Sequence, residues 1–330
     1  LSAGRLPDTI HRAVRWDQCG GTVMSTTGRE RPEMDREQLE LIGNVVERYR
    51  MHWPLSPRQV YYAVVEQGGA GLWTDERMSF LGTLRAGLIE GRLPLAAVAE
   101  GGEELREGGA WEDAEEFVHS EIESFLWGYR RDLLQGQEHH VEVWVEKAGV
   151  MDMVGEVAVA YCVTTVCCAG FPSVGFMQSV RTRLAEARER SQSPVILFFG
   201  DYVPGEGGTL SRLQETLRTD GNLWEIAFRA EAVTAEDVVK YNLPESVETR
   251  SRKRHGGAEP GSVPVELEAL PPDVLAERVR ASIESSLDMA LVNNQRAVQA
   301  REALRLGKLR AGIMRRVRSI LREQMPRAEG

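Results

Sequence analysis

The feature that most limits what this chain can fold into is a strand–helix–strand–helix–strand pattern between residues 141 and 201. The segment VEVWVE alternates Val141, Val143 and Val145 against Glu142, Trp144 and Glu146, the period of two that a β-strand imposes on its side chains. A helical stretch, AGVMDMVGEVAVA, leads to the β-branched run YCVTTVCC, and after AGFPS comes a second helical stretch, VGFMQSVRTRLAEARERS. PVILFFGD then places five consecutive apolar residues between Pro194 and Gly200, the mark of a strand covered on both faces. Connections of this length imply parallel strands joined by right-handed crossovers, an α/β fold of the Rossmann-like kind. Ligands of such sheets sit beyond the carboxyl ends of the strands. Glu146 closes the first strand and Asp201 follows the third, so both are expected at one edge. Acids at strand ends are commonly solvated loop residues. Two that converge can instead hold Mg²⁺, which prefers oxygen ligands and takes one or two carboxylates plus water and substrate phosphate.

Upstream, Leu39, Ile42, Val46 and Tyr49 recur at helical spacing, and the pattern predicts a helix from about Arg36. In LSPRQVYYAVVEQGG, Ser56 suits an N-cap, Pro57 the first helical position and Gln59 a capping box, with Gly68-Gly69 as the stop. Tyr61 and Tyr62 fall in the second turn. A further helix is expected around 75–86, and GLIEGRLPL reads as a turn into a short strand. Three short helices with small connectors suit a winged-helix module, or a plain helical bundle.

Downstream, WEIAFRAEAV reads as another strand, and VPVELEALPPDVLAERVRASIESSLD as a strand followed by a helix that starts at Pro271-Pro272. These signals divide the chain into a flexible N-terminal segment (1–35), a winged-helix domain (36–105), a linker with a helix over 117–134 (106–138), the α/β domain (139–290) and a long basic C-terminal helix (291–330). The net charge of −10 argues against a uniformly basic nucleic-acid-binding surface. Its distribution is uneven, however. Nine Lys or Arg and a single acid, Glu302, occupy 296–322, whereas acids crowd 100–116. The basic helix is therefore expected to touch phosphates.

Cys19, Cys162, Cys167 and Cys168 lack the spacing of a disulfide framework or a zinc site. No apolar run approaches the ~20 residues that span a bilayer, and no secretory signal opens the sequence, so a cytoplasmic location is expected. GDYVPGEGG lacks the GxxxxGK[ST] pattern of a phosphate-cradling loop, and AGFPS is no dinucleotide fingerprint.

A tyrosine pair in a capped helix commonly serves packing, with each ring half buried. A phenol can also attack phosphorus when a metal or base assists. Arg58 lies three and four residues before Tyr61 and Tyr62, which puts guanidinium and phenol on one helix face.

The ordered set SPRQVYY, VEVWVEKAGV, GFPS, FFGDYVPG and VELEAL, with YNLP before the last, resembles the A subunit of type IIB DNA topoisomerase (topoisomerase VI), the family that also holds the meiotic double-strand-break protein. The small phage- and plasmid-type relatives are more similar still. The resemblance runs from about Leu41 to Asp288. It implies a winged-helix domain of the catabolite-activator type followed by a Toprim domain, acting on double-stranded DNA as a homodimer. Tyr62 then matches the nucleophile that becomes joined to a 5′ phosphate, with Tyr61 the alternative, and Arg58 matches the arginine before it. Glu146 and Asp201 match Mg²⁺ ligands. The family reads Asp-x-Asp-Pro-Ser-Gly where this chain reads Asp201-Tyr202-Val203-Pro204-Gly205-Glu206. Val203 thus replaces one carboxylate, and Glu206 is a further candidate ligand. Strand passage in the family needs a separate ATPase subunit of the GHKL type. The implied activity is DNA cleavage by tyrosine transesterification. Two alternatives stand beside it: a DNA-binding or assembly protein on the same scaffold, and a Toprim nuclease that uses metal-activated water. In a bacterium, archaeon or phage the protein would sit with the nucleoid.

Overall fold

The computed structural model describes residues 34–69, 71–73, 78–99, 110–168, 174–204, 208–219, 226–246 and 263–324. The expected flexible lead lies outside the described residues, apart from its last two positions. The described chain forms two compact units by its internal contacts, one of residues 33–104 with 132–296 and the other built around 105–131 and 297–330.

In the first unit a four-stranded, all-parallel sheet has the order β2-β1-β3-β4, with β1 His139–Val145, β2 Thr164–Cys167, β3 Ser193–Phe199 and β4 Ala227–Ala232. The sequence therefore specified a parallel α/β sheet correctly. Its two faces belong to two cores. Val141, Val143 and Val145 join a core with Val150, Met153 and Val154 of the α5 region (α5 Met151–Val159) and with Leu275, Val279 and Ile283 of α9 (Pro272–Ser286). On the other face Trp144, Ile196 and Phe198 meet Val180 and Leu184 of α6 (Val174–Glu189) and Leu213 and Leu217 of α7 (Thr209–Thr219). Burial of each such side chain contributes about 1.5–3 kcal/mol, which is why the register of β1 admits no slip.

Period two usually leaves one face wet, yet Glu142 is 1% exposed. The Arg183 guanidinium on α6 grips it in two bonds, Nε to Oε1 at 2.7 Å and Nη2 to Oε2 at 3.1 Å. His140 Nε2 lies 3.0 Å from Oε1, and Trp144 Nε1 donates to Oε2 at 2.8 Å. Burial by itself would raise this carboxyl, but the hydrogen bonds from His140, Arg183 and Trp144 outweigh it and hold the pKa at about 2.

The same unit holds α1 Met34–Arg48, α2 Pro57–Val64, α3 Met78–Ile89 and the short α8 Ala235–Lys240. The Ser56 capping box forms as the sequence implies. Ser56 Oγ accepts from the Gln59 amide at 3.1 Å, Gln59 Oε1 accepts from the Ser56 amide at 2.9 Å, and Pro57 opens the helix. Past α2 a wider turn runs to Gly69, with Gly68 at φ 87 where a side chain would strain the backbone.

Three local expectations need correction. The GLIEGRLPL segment makes no strand, only a 3-10 turn at Leu95–Ala97 and one parallel bridge between Leu55 and Val98. VELEAL likewise is a 3-10 turn, Leu267–Ala269, preceded by a single antiparallel bridge from Val265 to Tyr202. The helix expected over 117–134 is shorter. It is α4, Ala114–Ser124, and it stops because Phe125 is extended (ψ 122), with Leu126 at φ 60 and Gly128 at φ 77. The last helix, α10 Met289–Gln324, is continuous over 36 residues as expected. Among the described residues no helix is long and apolar enough to cross a membrane.

Candidate functional site

Glu146 follows β1, and its amide donates to the Phe199 carbonyl at 2.9 Å, which ties the ends of β1 and β3 together. Asp201 stands two residues past β3, so parallel pairing delivers both acids to the carboxyl edge as the sequence implies. Their contact is direct. The Asp201 amide donates to Glu146 Oε2 at 2.8 Å, and Thr209 Oγ1 donates to Glu146 Oε1 at 2.7 Å. Gly200 makes this approach possible, because a Cβ there would come within 2.6 Å of Glu146 Oε2 and would also strike the Phe198 ring.

Asp201 Oδ1 accepts from the Leu267 amide at 2.9 Å, and its Oδ2 pairs with Lys147 Nζ at 2.9 Å. Burial raises the Asp201 pKa, aided by the Glu146 charge, and the Leu267 amide and the Lys147 ammonium offset only part of it. Burial alone would lower Lys147, but the charges of Asp201 and Glu266 hold it raised. Two carboxylates fixed by backbone amides at one edge are oxygen donors of the kind a hard cation takes. Each of their oxygens already accepts from an amide, Thr209 or Lys147, so a cation there would displace the Thr209 hydroxyl or the Lys147 ammonium. Among the described residues no cluster of three or more metal-binding side chains occurs. Glu206 lies outside the described residues, and Val203 at the third position is 37% exposed.

The VELEAL turn joins this edge to the tyrosine helix through three successive residues. Leu267 gives its amide to Asp201. Glu266 Oε2 accepts from Arg58 Nη1 at 2.9 Å, and its Oε1 accepts from Ser246 Oγ at 2.9 Å. Glu268 Oε1 accepts from Ser56 Oγ at 2.6 Å, and its Oε2 lies 3.7 Å from Arg58 Nη1. Both glutamates are nearly inaccessible, at 3% and 4% exposure. Burial raises the Glu268 pKa, with the Glu266 charge adding to it, against Ser56 and Arg58. Sequence reasoning missed Glu266, Glu268, Lys147 and Thr209. VELEAL read only as a strand, with no role for its acids. The overlooked signal was two acids confined within an otherwise apolar hexapeptide.

Gly149 packs tightly against the start of α2 and the 266–268 turn. A Cβ there would sit 2.7 Å from Glu268 Oε1 and 2.8 Å from Ser56 Cβ. Gly149→Ala is expected to destabilise the protein by about 1–3 kcal/mol, the usual cost of overpacking. Urea denaturation would measure it, and a change within 0.5 kcal/mol either way would refute the close fit.

The two tyrosines have different surroundings. Tyr61, 6% exposed, packs edge-on against Phe80 and Tyr62 at centroid distances of 5.2 and 5.4 Å. Tyr62, 3% exposed, also lines a cavity of about 730 Å³. Gln59, Glu66, Tyr241, Glu245 and Glu268 line it too, and no Lys or Arg is among the described residues that do. A phosphate entering beside Tyr62 therefore meets carboxylates and needs a cation with it.

The fold and site define a parallel α/β protein with a two-carboxylate edge bound by an ionic turn to a capped helix that carries tyrosines. Comparison with family models, with curated proteins and with solved structures gave no match.

Proposed function

We propose that this chain is a DNA-cleaving protein of the topoisomerase VI A-subunit type, with residues 36–105 as its winged-helix domain and 139–290 as its Toprim domain. The observation that carries the reading is the Glu146–Asp201 pair at the carboxyl edge, linked through 266–268 to the helix bearing Arg58 and Tyr62. Tyr62 Oη attacks a backbone phosphorus of double-stranded DNA. The new O–P bond leaves a 5′ phosphotyrosyl, the P–O3′ bond breaks, and the phenolic proton ends on the departing 3′ oxygen. Glu146 and Asp201 would hold Mg²⁺, which supplies neutralisation of the phosphodiester charge. Lys147 and Arg58 add fixed positive charge, Arg58 once it exchanges its carboxylate partners for phosphate. A homodimer would present two tyrosines to opposite strands, each beside the metal site of the other protomer. A separate GHKL-type ATPase subunit would be needed for strand passage. Association with DNA would place the protein in the cytoplasm or nucleoid.

One observation favours a second reading. Lys147 and Arg58 are both committed to carboxylates, which suits a DNA-binding or assembly protein that keeps the scaffold without cleaving. The test is to incubate the protein with supercoiled plasmid and Mg²⁺ or Mn²⁺, then denature with detergent. Protein joined to 5′ ends is expected. Free ends would point to hydrolysis by metal-activated water instead, and intact plasmid to the binder. Val203→Asp sharpens the choice. It is expected to lower the Mg²⁺ concentration needed for cleavage by about tenfold, the effect of one further charge-bearing ligand. If cleavage appears only in that variant, the natural chain is a binder.

A further inference from the structure

The carboxyl edge of the sheet already holds a cation of its own. Lys147 directly follows Glu146, and its side chain turns onto Asp201, with Nζ 2.9 Å from Oδ2. The other oxygen, Oδ1, is taken by the Leu267 amide. The Lys147 side chain is 28% exposed and that of Asp201 17%. The ammonium therefore has a path to solvent, whereas the carboxylate meets little water that could take its place.

Of the groups that bond to the two acids, Lys147 is the one able to leave. The amides of Asp201 and Leu267 are fixed in the backbone of the edge. Thr209 Oγ1 donates to Glu146 Oε1 at 2.7 Å, but Thr209 opens α7 and is held by that helix. Its hydroxyl is also neutral, so a divalent cation has no charge reason to expel it. Lys147 is a point charge on a flexible four-carbon stem. Two carboxylates balance one divalent cation. With the ammonium still in place, the edge would carry surplus positive charge in a site largely withdrawn from water, which is unfavourable. Ammonium and metal thus compete for Asp201 Oδ2. Val203 sharpens the competition, because the third position supplies no further carboxylate for them to share. Glu266 is the other carboxylate whose charge raises Lys147. Both of its oxygens are occupied, one by Arg58 and one by Ser246. A displaced ammonium is therefore left for a phosphate.

We infer that Lys147 is an internal competitor for the metal. Its ammonium holds Asp201 until a divalent cation takes that oxygen, and DNA favours the exchange by accepting the released ammonium on a phosphate. The inference rests on the Mg²⁺ reading of the edge, and it makes metal and DNA binding mutually reinforcing.

The test is Mn²⁺ binding to the full chain, followed by the electron paramagnetic resonance signal of the free ion. Without DNA, Lys147→Met is expected to bind Mn²⁺ at least about tenfold more tightly than the natural protein, the scale on which one adjacent charge acts. Lys147→Gln should do the same while its amide still donates to Asp201, which guards against a variant that fails to fold. In urea, Mn²⁺ should raise the unfolding midpoint of both variants more than that of the natural chain, because tighter binding stabilises more. A short duplex should tighten Mn²⁺ binding by the natural chain more than by either variant. Adding Asp201→Asn to Lys147→Gln should remove the gain. Equal Mn²⁺ affinities in the natural chain and both variants would overturn the inference and leave the metal reading standing. A duplex effect as large in the variants as in the natural chain would overturn the transfer of the ammonium to phosphate. A gain that survives Asp201→Asn, or no Mn²⁺ bound by any of the proteins, would overturn the metal reading together with the inference.

Discussion

Replacing Tyr62 by phenylalanine is expected to abolish detergent-stable attachment of the protein to 5′ DNA ends, a drop of at least about a thousandfold, as befits loss of the atom that forms the covalent bond. Phenylalanine keeps the ring that fills the core beside Tyr61, so the fold should survive. Matched urea midpoints would show that it has. Tyr61→Phe is the control. The Tyr61 ring is wedged between Phe80 and Tyr62, and removing its hydroxyl should leave attachment within a few-fold of the natural level. If attachment survives Tyr62→Phe and vanishes in Tyr61→Phe, the nucleophile has been assigned to the wrong ring. The cavity beside Tyr62 adds a condition. With Glu66, Glu245 and Glu268 along it, attachment should require a divalent cation and should cease when EDTA removes it.

The largest stability effect is expected at the buried end of the sheet. Arg183→Met should cost about 3–5 kcal/mol, the loss incurred when one partner of a buried ion pair is removed. Glu142 would keep His140 and Trp144 but lose its bidentate charge partner. The pH dependence follows in sign. In the natural protein the Glu142 pKa is lowered from 4.5 to about 2. Its ionised form therefore contributes stability above pH 4.5 that disappears as pH falls through the window toward 2, about 3 kcal/mol in all. In the Arg183→Met protein the carboxyl rises, so acid should close the gap between the two proteins. Adding Glu142→Gln should recover much of the loss at neutral pH, because no bare charge remains. Urea unfolding at pH 7 and pH 4 would measure both effects. A cost below 1 kcal/mol for Arg183→Met would mean that the pair is not sealed from water.

Several parts of this protein could be read directly from residue order. The period-two alternation at 141–145 and the apolar run at 195–199, with helical stretches between them, identified parallel strands, because the connections are long enough for crossovers and an uninterrupted apolar strand is covered on both faces. Ser56, Pro57 and Gln59 located the start of α2, since a capping box is satisfied within four residues. The edge position of Glu146 and Asp201 followed from strand direction alone.

Other features depend on neighbours that are distant in sequence. Glu142 alternates with valines as if it faced water, and only the packing of α6 shows that Arg183 encloses it. Glu266 and Glu268 alternate with apolar residues as in a strand, but the turn that carries them lies between Asp201 and Ser56, which are 66 and 212 residues from their respective partners Leu267 and Glu268. Local periodicity reports which face a residue occupies. It does not report whether a cation from elsewhere is waiting there. The sequence by itself determined the sheet, the capped helix and the meeting of two acids at one edge, because those depend on backbone hydrogen bonding and side-chain period. Only the tertiary structure decided that Lys147 pairs with Asp201, that Arg58 is held by two buried glutamates, and that Tyr62 rather than Tyr61 lines the cavity. Those are long-range electrostatic and packing choices, made when separate segments leave water together.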